Sequence, residues 1–247
     1  MSPALSFSRP DIQPDGDRVV AVGWSSDGHL AMSLGWTLPL LDIRPPDAVL
    51  GFYCPTDYED PSWASPNLPF GQDPAPSPGT GYNFLYDGLH DKPVSVYTPR
   101  ASKLALGGWK SLEDPRSRII LHMDWEDKSL PVLINGLRRT GANSVTNPPF
   151  PSVEQIQAIS PLAQIRAGNY RTPTFLVHGT RDDFVPWQAS QRSYGALRKR
   201  GVPIALVILT DGLRVFDLYP AIKRNPAAVK EVNDGYEFLG AHVKPHV

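Results

Sequence analysis

A serine at the junction between a buried strand and a helix is the feature that most constrains how this chain folds. In residues 19–36, VVAVGWSSDGHLAMSLGW, an apolar β-prone run leads into Gly-Trp-Ser25 and then into an apolar rhythm of helical period. The pattern predicts a strand, a sharp turn at Ser25 and a helix. Such a turn presents a serine hydroxyl at the carboxyl edge of a sheet.

Strand-like and helix-like segments alternate along the rest of the chain. Apolar runs predict strands at 18–24, 48–53, 174–178 and 204–209, and helical periodicity predicts helices at 27–37, 188–200 and 227–243. Strands that alternate with helices are typical of an α/β fold whose mostly parallel sheet carries helices on both faces. We therefore expect one α/β domain over the 247 residues.

Proline divides this domain into parts. The chain has 27 prolines, about twice the ordinary usage of ~5%, and they concentrate in residues 55–99 and 131–161. Long irregular segments of this kind are usually lids or binding loops. The sequence therefore predicts a partly helical cap insertion at 56–160. It lies between the serine turn in 1–55 and the second half of the sheet in 161–247.

Composition argues against several classes of function. Lysine and arginine number 24 against 25 aspartate and glutamate, a formal net charge of −1, so we expect no binding to nucleic acid or to an anionic membrane. No run approaches the roughly 18 to 20 apolar residues of a membrane span, and residues 1–17 lack the features of a secretory signal. We expect a cytoplasmic protein without a membrane anchor.

No cofactor or metal is expected either. The chain has no phosphate-binding loop, no dinucleotide-binding glycine pattern and no zinc-ligand spacing. Asp57, Glu59 and Asp60 form an acidic cluster without a nearby histidine, and we interpret it as a solvated loop. The single cysteine, Cys54, is expected to be a small buried residue.

The serine turn has two interpretations. In one, Ser25 is a nucleophile and the backbone N–H of Ser26 helps to hold an oxyanion; in the other, Ser25 only caps a helix. Gly23 fits the first pattern, but Asp27 occupies the place of its second glycine. We expect the Asp27 side chain to crowd the contact between strand and helix and to oppose an oxyanion electrostatically.

A second polar segment, HGTRDDFVP at 178–186, follows the predicted strand at 174–178. An acid at the end of such a strand can orient a catalytic histidine and stabilise its charged form. We predict this role for Asp182, with Asp183 as the alternative, and a structural role for His178. A base would be expected after the strand at 204–209, yet residues 210–218 contain no histidine.

Several longer strings carry a resemblance to a known family. They are VVAVGWSSDGHLAMSLGWT, GFYCPTDYEDPSWASPNLPFGQ, LPVLINGLRR, ISPLAQI, TPTFLVHGTRDDFVPW and VFDLYP. From about Asp15 onward the chain resembles the α/β-hydrolase thioesterase (esterase-type) domains at the C-terminus of fungal non-reducing polyketide synthases with a methyltransferase domain. The resemblance implies release of an acyl or polyketide chain from a carrier-protein thioester, with Ser25 as nucleophile and Asp182 as acid. We also expect Trp24, Tyr53 and Trp187 to bind the substrate.

Arg214 departs from the pattern of this family. It stands where the family has its catalytic histidine, two residues before Phe216. Arginine stays protonated, with a pKa above ~12, and cannot accept the serine proton. By comparison with knockouts of catalytic triads, the loss is on the order of 10⁴ to 10⁶ in turnover. The sequence thus predicts either an impaired thioesterase or an inactive pseudoenzyme that acts as a binding or scaffold module.

The short segment before the serine turn is a further departure. About 18 residues precede the first predicted strand, where this fold has about four strands, so the chain resembles an N-terminally truncated copy. Residues 19–22 would then lie on an open sheet edge. An exposed apolar edge needs cover, and we expect either a partner chain or self-association there.

Overall fold

A computed structural model describes residues 15–67, 123–136, 138–139, 145–146, 148–218 and 226–243. The strands are β1 Val20–Trp24, β2 Ala48–Phe52, β3 Arg138–Arg139, β4 Val145–Thr146, β5 Thr174–Arg181 and β6 Ile204–Leu213. The helices are α1 Ser26–Thr37, α2 Ser129–Asn135, α3 Val153–Ile159, α4 Pro161–Ala167, α5 Trp187–Lys199 and α6 Pro226–His242. Residues 68–122 of the predicted cap insertion lie outside the described residues, and the proposed division into three parts stays a prediction.

The main sheet confirms the predicted α/β architecture. Its strand order is β1-β2-β5-β6, and all of its neighbouring strands run parallel. Parallel neighbours place their carboxyl ends at one edge of the sheet, so residues that follow β1, β2, β5 and β6 gather there. The site described below lies at this edge.

Helices cover both faces of the sheet. On one face α1, α4 and α5 pack over strand residues such as Val49 and Leu176. On the other face α6 and Phe216 pack over Leu50 and Val177. Successive side chains of a strand point to opposite faces of the sheet, so the side chains on both faces of each central strand are buried in apolar surroundings. Continuous apolar runs in the sequence reflect this double burial.

Two helices that were not predicted individually lie at the end of the predicted insertion, α3 inside it and α4 directly after it. α3 begins with a capping box, in which the Ser152 side chain accepts a hydrogen bond from the Gln155 backbone and the Gln155 side chain accepts one from Ser152 N–H. α4 begins at Pro161, a residue suited to the first turn of a helix. The Leu162 N–H donates to Thr56 O at 2.8 Å and ties α4 to the segment after β2.

β6 is longer than the sequence predicts, and this length decides where Arg214 lies. The segment expected to be a loop continues the strand to Leu213, with a register shift opposite Gly179 and Arg181. A Cβ on Gly179 would come within 2.2 Å of Gly212 O, so only glycine allows this approach of the two strands. The extended strand delivers Arg214 to the carboxyl edge of the sheet.

Two glycines allow α1 to begin directly on β1. A Cβ on Gly23 would lie 2.2 Å from Asp27 O, and a Cβ on Gly28 would lie 2.4 Å from Cys54 Cβ. Asp27 is exposed, so the expectation that its side chain crowds this contact is wrong. The close approach falls on Gly28, one residue further along the helix.

β1 lies at one end of the main sheet. Within the described residues it pairs with β2 alone, and Val19 just before it is 44% exposed. This geometry agrees with the predicted open edge. None of the helices in the described part of the chain is long and apolar enough to cross a membrane.

The glycine contacts predict that replacing glycine by alanine lowers the free energy of unfolding at one position and raises it at another. Gly23→Ala is expected to lower the free energy of unfolding by about 2 to 3 kcal/mol or more, because the added carbon meets backbone rather than a movable side chain. Gly195→Ala, inside α5 with nothing within 4 Å of the added carbon, is expected to raise it by about 0.5 to 1 kcal/mol.

Urea denaturation of both variants, followed by circular dichroism, measures the two effects. Equal midpoints for Gly23→Ala and the parent chain would contradict the described packing of α1 on β1.

Candidate active site

Ser25 occupies the strained turn between β1 and α1. Its φ of 53° and ψ of −126° are unusual for a residue with a side chain. Its N–H donates to Phe52 O at 2.9 Å, which fixes the turn to the end of β2. The N–H of Ser26 belongs to the first turn of α1, where backbone donors have no acceptor inside the helix. It is thus available to an acceptor group of a ligand at Ser25.

Asp182 lies just after β5 and is fully buried. Its Oδ1 accepts hydrogen bonds from the N–H groups of Phe184 at 2.9 Å and Val185 at 3.0 Å. Burial would raise the pKa of this carboxyl, but the hydrogen bond from His178 and the charge of Arg214 outweigh burial and hold it below its usual value. Asp182 is therefore a fixed buried carboxylate.

Arg214 lies between Asp182 and Ser25. Its Nη1 is 3.3 Å from both carboxylate oxygens of Asp182, and its Nη2 donates a hydrogen bond to Ser25 Oγ. The side chain is 3% exposed. Its guanidinium carbon lies 4.6 Å from the centre of the Phe184 ring and 5.6 Å from that of Tyr53. Both distances suit cation–π contacts, so the guanidinium is held by charge, hydrogen bonds and rings together.

His178 is buried on the other side of Asp182. Its Nε2 faces two acceptors, Asp182 Oδ2 at 3.2 Å and Val185 O at 3.0 Å, and its Nδ1 lies 2.8 Å from Ser190 Oγ. Two acceptors at Nε2 require a proton on that nitrogen, and Nδ1 shares a further hydrogen bond with Ser190 Oγ. Both ring nitrogens are engaged, as expected for a structural histidine.

Trp24 and Tyr53, which the sequence predicts to bind substrate, share one hydrogen-bond partner in the structure, and their role in substrate binding stays a prediction. Trp24 Nε1 donates to Asp217 Oδ2 at 2.7 Å, and the Tyr53 hydroxyl donates to Asp217 Oδ1 at 2.9 Å. These bonds hold the turn that follows Arg214, whose Val215 has a φ of 54°. They thereby tie the ends of β1 and β2 to the segment that follows Arg214. Trp187, the third residue predicted to bind substrate, begins α5 and is likewise outside the pocket wall.

A pocket of about 310 Å³ opens at Ser25 and Arg214. Its wall is largely apolar and comes from the ends of β1 and β2, the segment after β5, and α2 with the residues before it. The lining residues are Ser25, Ser26, Pro55, Tyr58, Trp63, Met123, Asp124, Ser129, Leu130, Val132, Leu133, Phe184, Val185 and Arg214. The arrangement suits an apolar chain whose polar end lies against Ser25 and Arg214.

The acidic cluster after β2 is not the solvated loop that the sequence suggested. Asp57 Oδ2 accepts from Arg192 Nε at 2.8 Å, and Asp60 Oδ2 accepts from Arg192 Nη2. These ion pairs tie the segment that carries Tyr58 and Trp63 to α5. Cys54 is buried as expected, and burial raises the pKa of its thiol to about 12.

Asp124 is the residue of this site that the sequence analysis missed. It lies in the pocket wall, where Ser129 Oγ donates to its Oδ1. Burial raises its pKa to about 6, against the opposing effects of that hydrogen bond and of the Arg214 charge. An aspartate in the stretch HMDWEDKS carries no sequence signal of this kind, because only the fold brings it to the pocket.

The raised pKa of Asp124 predicts a pH-dependent stability. Between about pH 4 and pH 6 the folded chain binds more protons at this carboxyl than the unfolded chain, so the free energy of unfolding falls as the pH rises. The shift from 3.8 to about 6 corresponds to about 3 kcal/mol.

Denaturation of the parent chain and of Asp124→Asn at several pH values isolates this effect, because the other titrating groups cancel in the difference. The parent is expected to lose stability relative to the variant from pH 4 to pH 6. A difference that does not change with pH would contradict the described burial.

Comparison with known proteins shows which family the chain resembles. The prolyl oligopeptidase family profile matches residues 141–244. The chain is 50% identical over 246 residues to the non-reducing polyketide synthase adrD of Penicillium rubens, which covers 98% of the chain and 10% of the synthase. It is 48% identical over 245 residues to mapC' of Penicillium brevicompactum, with 98% and 11% covered. It is 47% identical over 247 residues to ausA of Emericella nidulans, with 98% and 10% covered.

The chain thus spans about a tenth of the length of the curated relatives it matches. Among solved structures, an acylaminoacyl peptidase of Pyrococcus horikoshii is similar with a TM-score of 0.49 and 16% identity, over 94% of this chain and 25% of that one. The resemblance to fungal non-reducing polyketide synthases predicted from the sequence is confirmed. The chain is a homologue of a segment of these synthases and has an α/β-hydrolase fold.

Proposed function

We propose that this chain is a hydrolase-like acyl-binding polypeptide of fungal polyketide biosynthesis in which thioester cleavage through Ser25 is blocked by Arg214. The observation that carries the proposal is the double contact of Arg214 with Ser25 Oγ and Asp182. The resemblance supplies the ligand class, an acyl or polyketide thioester.

The direction of the hydrogen bonds argues against nucleophilic catalysis. A guanidinium only donates hydrogen bonds, so Ser25 Oγ accepts from Arg214. A serine nucleophile needs the opposite arrangement, in which the hydroxyl donates its proton to a base. Nearby positive charge eases loss of the serine proton, but no group among the described contacts of Ser25 can accept it.

The same hydrogen bonds favour binding. Because Ser25 Oγ accepts from Arg214, its own hydrogen is free to donate to a ligand. Together with the N–H of Ser26 it offers two donors at the end of an apolar pocket. An acyl carbonyl oxygen accepts both, while the acyl chain contacts residues such as Leu130 and Phe184. The site would thus retain substrate recognition without turnover.

The second candidate function is acyl release by a thioesterase with an unusual base. The strained turn at Ser25 and the buried Asp182 favour it, because both are arranged as the hydrolase mechanism requires. His178, which contacts Asp182, is a candidate base, but Ser190, Asp182 and Val185 occupy its two ring nitrogens. The geometry therefore supports the binding function better.

The proposal has further parts that rest on the resemblance. An acyl carrier protein would present the thioester, and the location would be cytoplasmic. The edge of β1 would be covered by a partner chain or by a second copy. If a second copy covers this edge, the purified chain has the mass of a dimer in solution; if a different chain covers it, the purified chain has the mass of a monomer.

Labelling with a fluorophosphonate probe tests whether Arg214 blocks the serine. The parent chain is expected to stay unlabelled, and Arg214→His is expected to label at Ser25 because an imidazole restores a base between Ser25 and Asp182. The double variant Ser25→Ala/Arg214→His is the control and should not react.

Labelling of the parent at a rate similar to that of Arg214→His would contradict the proposal and favour the second candidate function, acyl release by a thioesterase. Silence of a folded Arg214→His variant would contradict the claim that this one residue blocks the site.

Binding is tested with octanoyl-N-acetylcysteamine, a small neutral thioester, by isothermal titration calorimetry. Leu133 lines the pocket and is 54% exposed, and Leu40 lies outside it and is 81% exposed. Leu133→Asp is expected to weaken binding about tenfold or more, because a charge in the apolar wall must be desolvated. The matched Leu40→Asp variant should bind like the parent. Equal weakening in both variants, or no binding by the parent, would overturn the binding function.

A further inference from the structure

Asp217 joins the segments that carry Ser25 and Arg214. Trp24 Nε1 donates to its Oδ2 at 2.7 Å, and the Tyr53 hydroxyl donates to its Oδ1 at 2.9 Å. Trp24 is the residue before Ser25, and Tyr53 is the first residue after β2. One carboxylate, three residues after Arg214 in the sequence, thus connects the ends of β1 and β2 to the turn that follows β6.

The contacts of Arg214 itself leave its guanidinium room to move. Both of its distances to the Asp182 oxygens are 3.3 Å, longer than the ~2.7 to 2.9 Å of a tight hydrogen bond between charged groups. Its Nε is shielded from solvent and has no hydrogen-bond partner within the described part of the chain. An arginine side chain has many rotamers, so a guanidinium stays at Ser25 only if the backbone that carries it is fixed.

The backbone after Arg214 is held in a disfavoured conformation. Val215 has a φ of 54°, which a β-branched residue adopts only where its surroundings impose it. Phe216 is buried, and its ring meets the Tyr53 ring edge-on at 5.8 Å. Asp217 then ties the turn down through its two hydrogen bonds. Burial and the nearby Asp217 carboxylate raise the pKa of the Tyr53 hydroxyl, which therefore remains a donor at neutral pH.

We propose that Asp217 is a positioning residue, which holds the turn after β6 so that the Arg214 guanidinium stays against Ser25. This inference rests on the proposed block of Ser25 by Arg214 and deepens it, because it names the contact that keeps the block in place. Asp217 lies outside the wall of the pocket, so it acts through the backbone of Arg214 and not on the ligand.

The test follows the exchange of the Arg214 Nε–H with solvent, by nitrogen-15 NMR on uniformly labelled chain and with assignment by Arg214→Lys. Because this nitrogen is shielded from solvent, its exchange reports how often the side chain leaves its place. The backbone N–H of Leu176, a buried residue of the central strand β5, is measured alongside. A general loss of stability accelerates exchange at both sites, so the ratio of the two rates isolates Arg214.

Three variants change the bridge in different ways. Tyr53→Phe keeps the ring and removes only the hydroxyl, and Asp217→Leu removes both acceptors at similar side-chain volume. Each is expected to accelerate exchange of the Arg214 Nε–H relative to Leu176 about tenfold or more, as for the loss of a hydrogen bond to a charged group. Asp217→Asn should stay close to the parent, because its oxygen accepts from Trp24 and its amide donates to the Tyr53 oxygen.

Tyr170→Phe is the matched control. The Tyr170 hydroxyl is buried on the opposite face of the sheet and hydrogen-bonds Thr174 Oγ1 at 2.7 Å. This variant therefore loses the same kind of buried hydroxyl contact as Tyr53→Phe, at a place remote from Arg214. The ratio of the two exchange rates should keep its parent value.

The outcomes separate the role of Asp217 from the function on which it rests. An unchanged ratio in Tyr53→Phe and Asp217→Leu, or an equal change in Tyr170→Phe, would overturn this role, while the block stands if fluorophosphonate leaves the parent unlabelled. Exchange in Asp217→Asn as fast as in Asp217→Leu would also overturn it, because the charge rather than the hydrogen bonds would then hold Arg214. Labelling of the parent would overturn the block itself.

Discussion

The guanidinium of Arg214 is the interaction on which the account of this site depends. It lies against the Asp182 carboxylate, donates to Ser25 Oγ and stands between two aromatic rings. A cation here neutralises the buried Asp182, so the pair is compatible with a nearly dry site. A neutral histidine at position 214 would leave the negative charge of Asp182 without a neighbouring cation, but it could accept a proton. Compared with a neutral histidine, Arg214 therefore adds a positive charge beside Asp182, and it cannot act as a base.

The fold supplies the geometry that makes this contact possible. The strained turn at Ser25 requires the close approach at Gly23 and Gly28, and Arg214 arrives because β6 extends past its expected end beside Gly179. These features lie on neighbouring parallel strands, whose carboxyl ends share one edge of the sheet. The turn at Ser25, the acid Asp182 and Arg214 therefore meet at one edge of the sheet, and this brings the guanidinium to the serine.

Sequence patterns predicted the four strands of the main sheet, because buried parallel strands give continuous apolar runs. Ser25, Asp182 and Arg214 follow β1, β5 and β6, so the topology brings them to one edge of the sheet. The distant hydrogen-bond partners of side chains were not predictable in the same way. Trp24 and Tyr53 are aromatic and lie next to the site in sequence, yet both bind Asp217, which is more than 160 residues away along the chain.

Long-range pairing also explains the other errors. The acidic cluster looked solvated because its partner Arg192 is on a distant helix. Asp124 carried no signal because its burial depends on how the segment before α2 packs over the sheet edge. Local periodicity determines elements, whereas the polar contacts of a site are determined by residues that only the fold brings together.

The most direct test of the central claim is the hydrogen exchange of the Arg214 side chain, measured by nitrogen-15 NMR on arginine-labelled protein and assigned with Arg214→Lys. The account predicts slowly exchanging guanidinium protons for Arg214, with resonances that shift in Ser25→Ala because one acceptor is lost. Guanidinium protons that exchange as fast as those of exposed arginines, and that do not respond to Ser25→Ala, would contradict it.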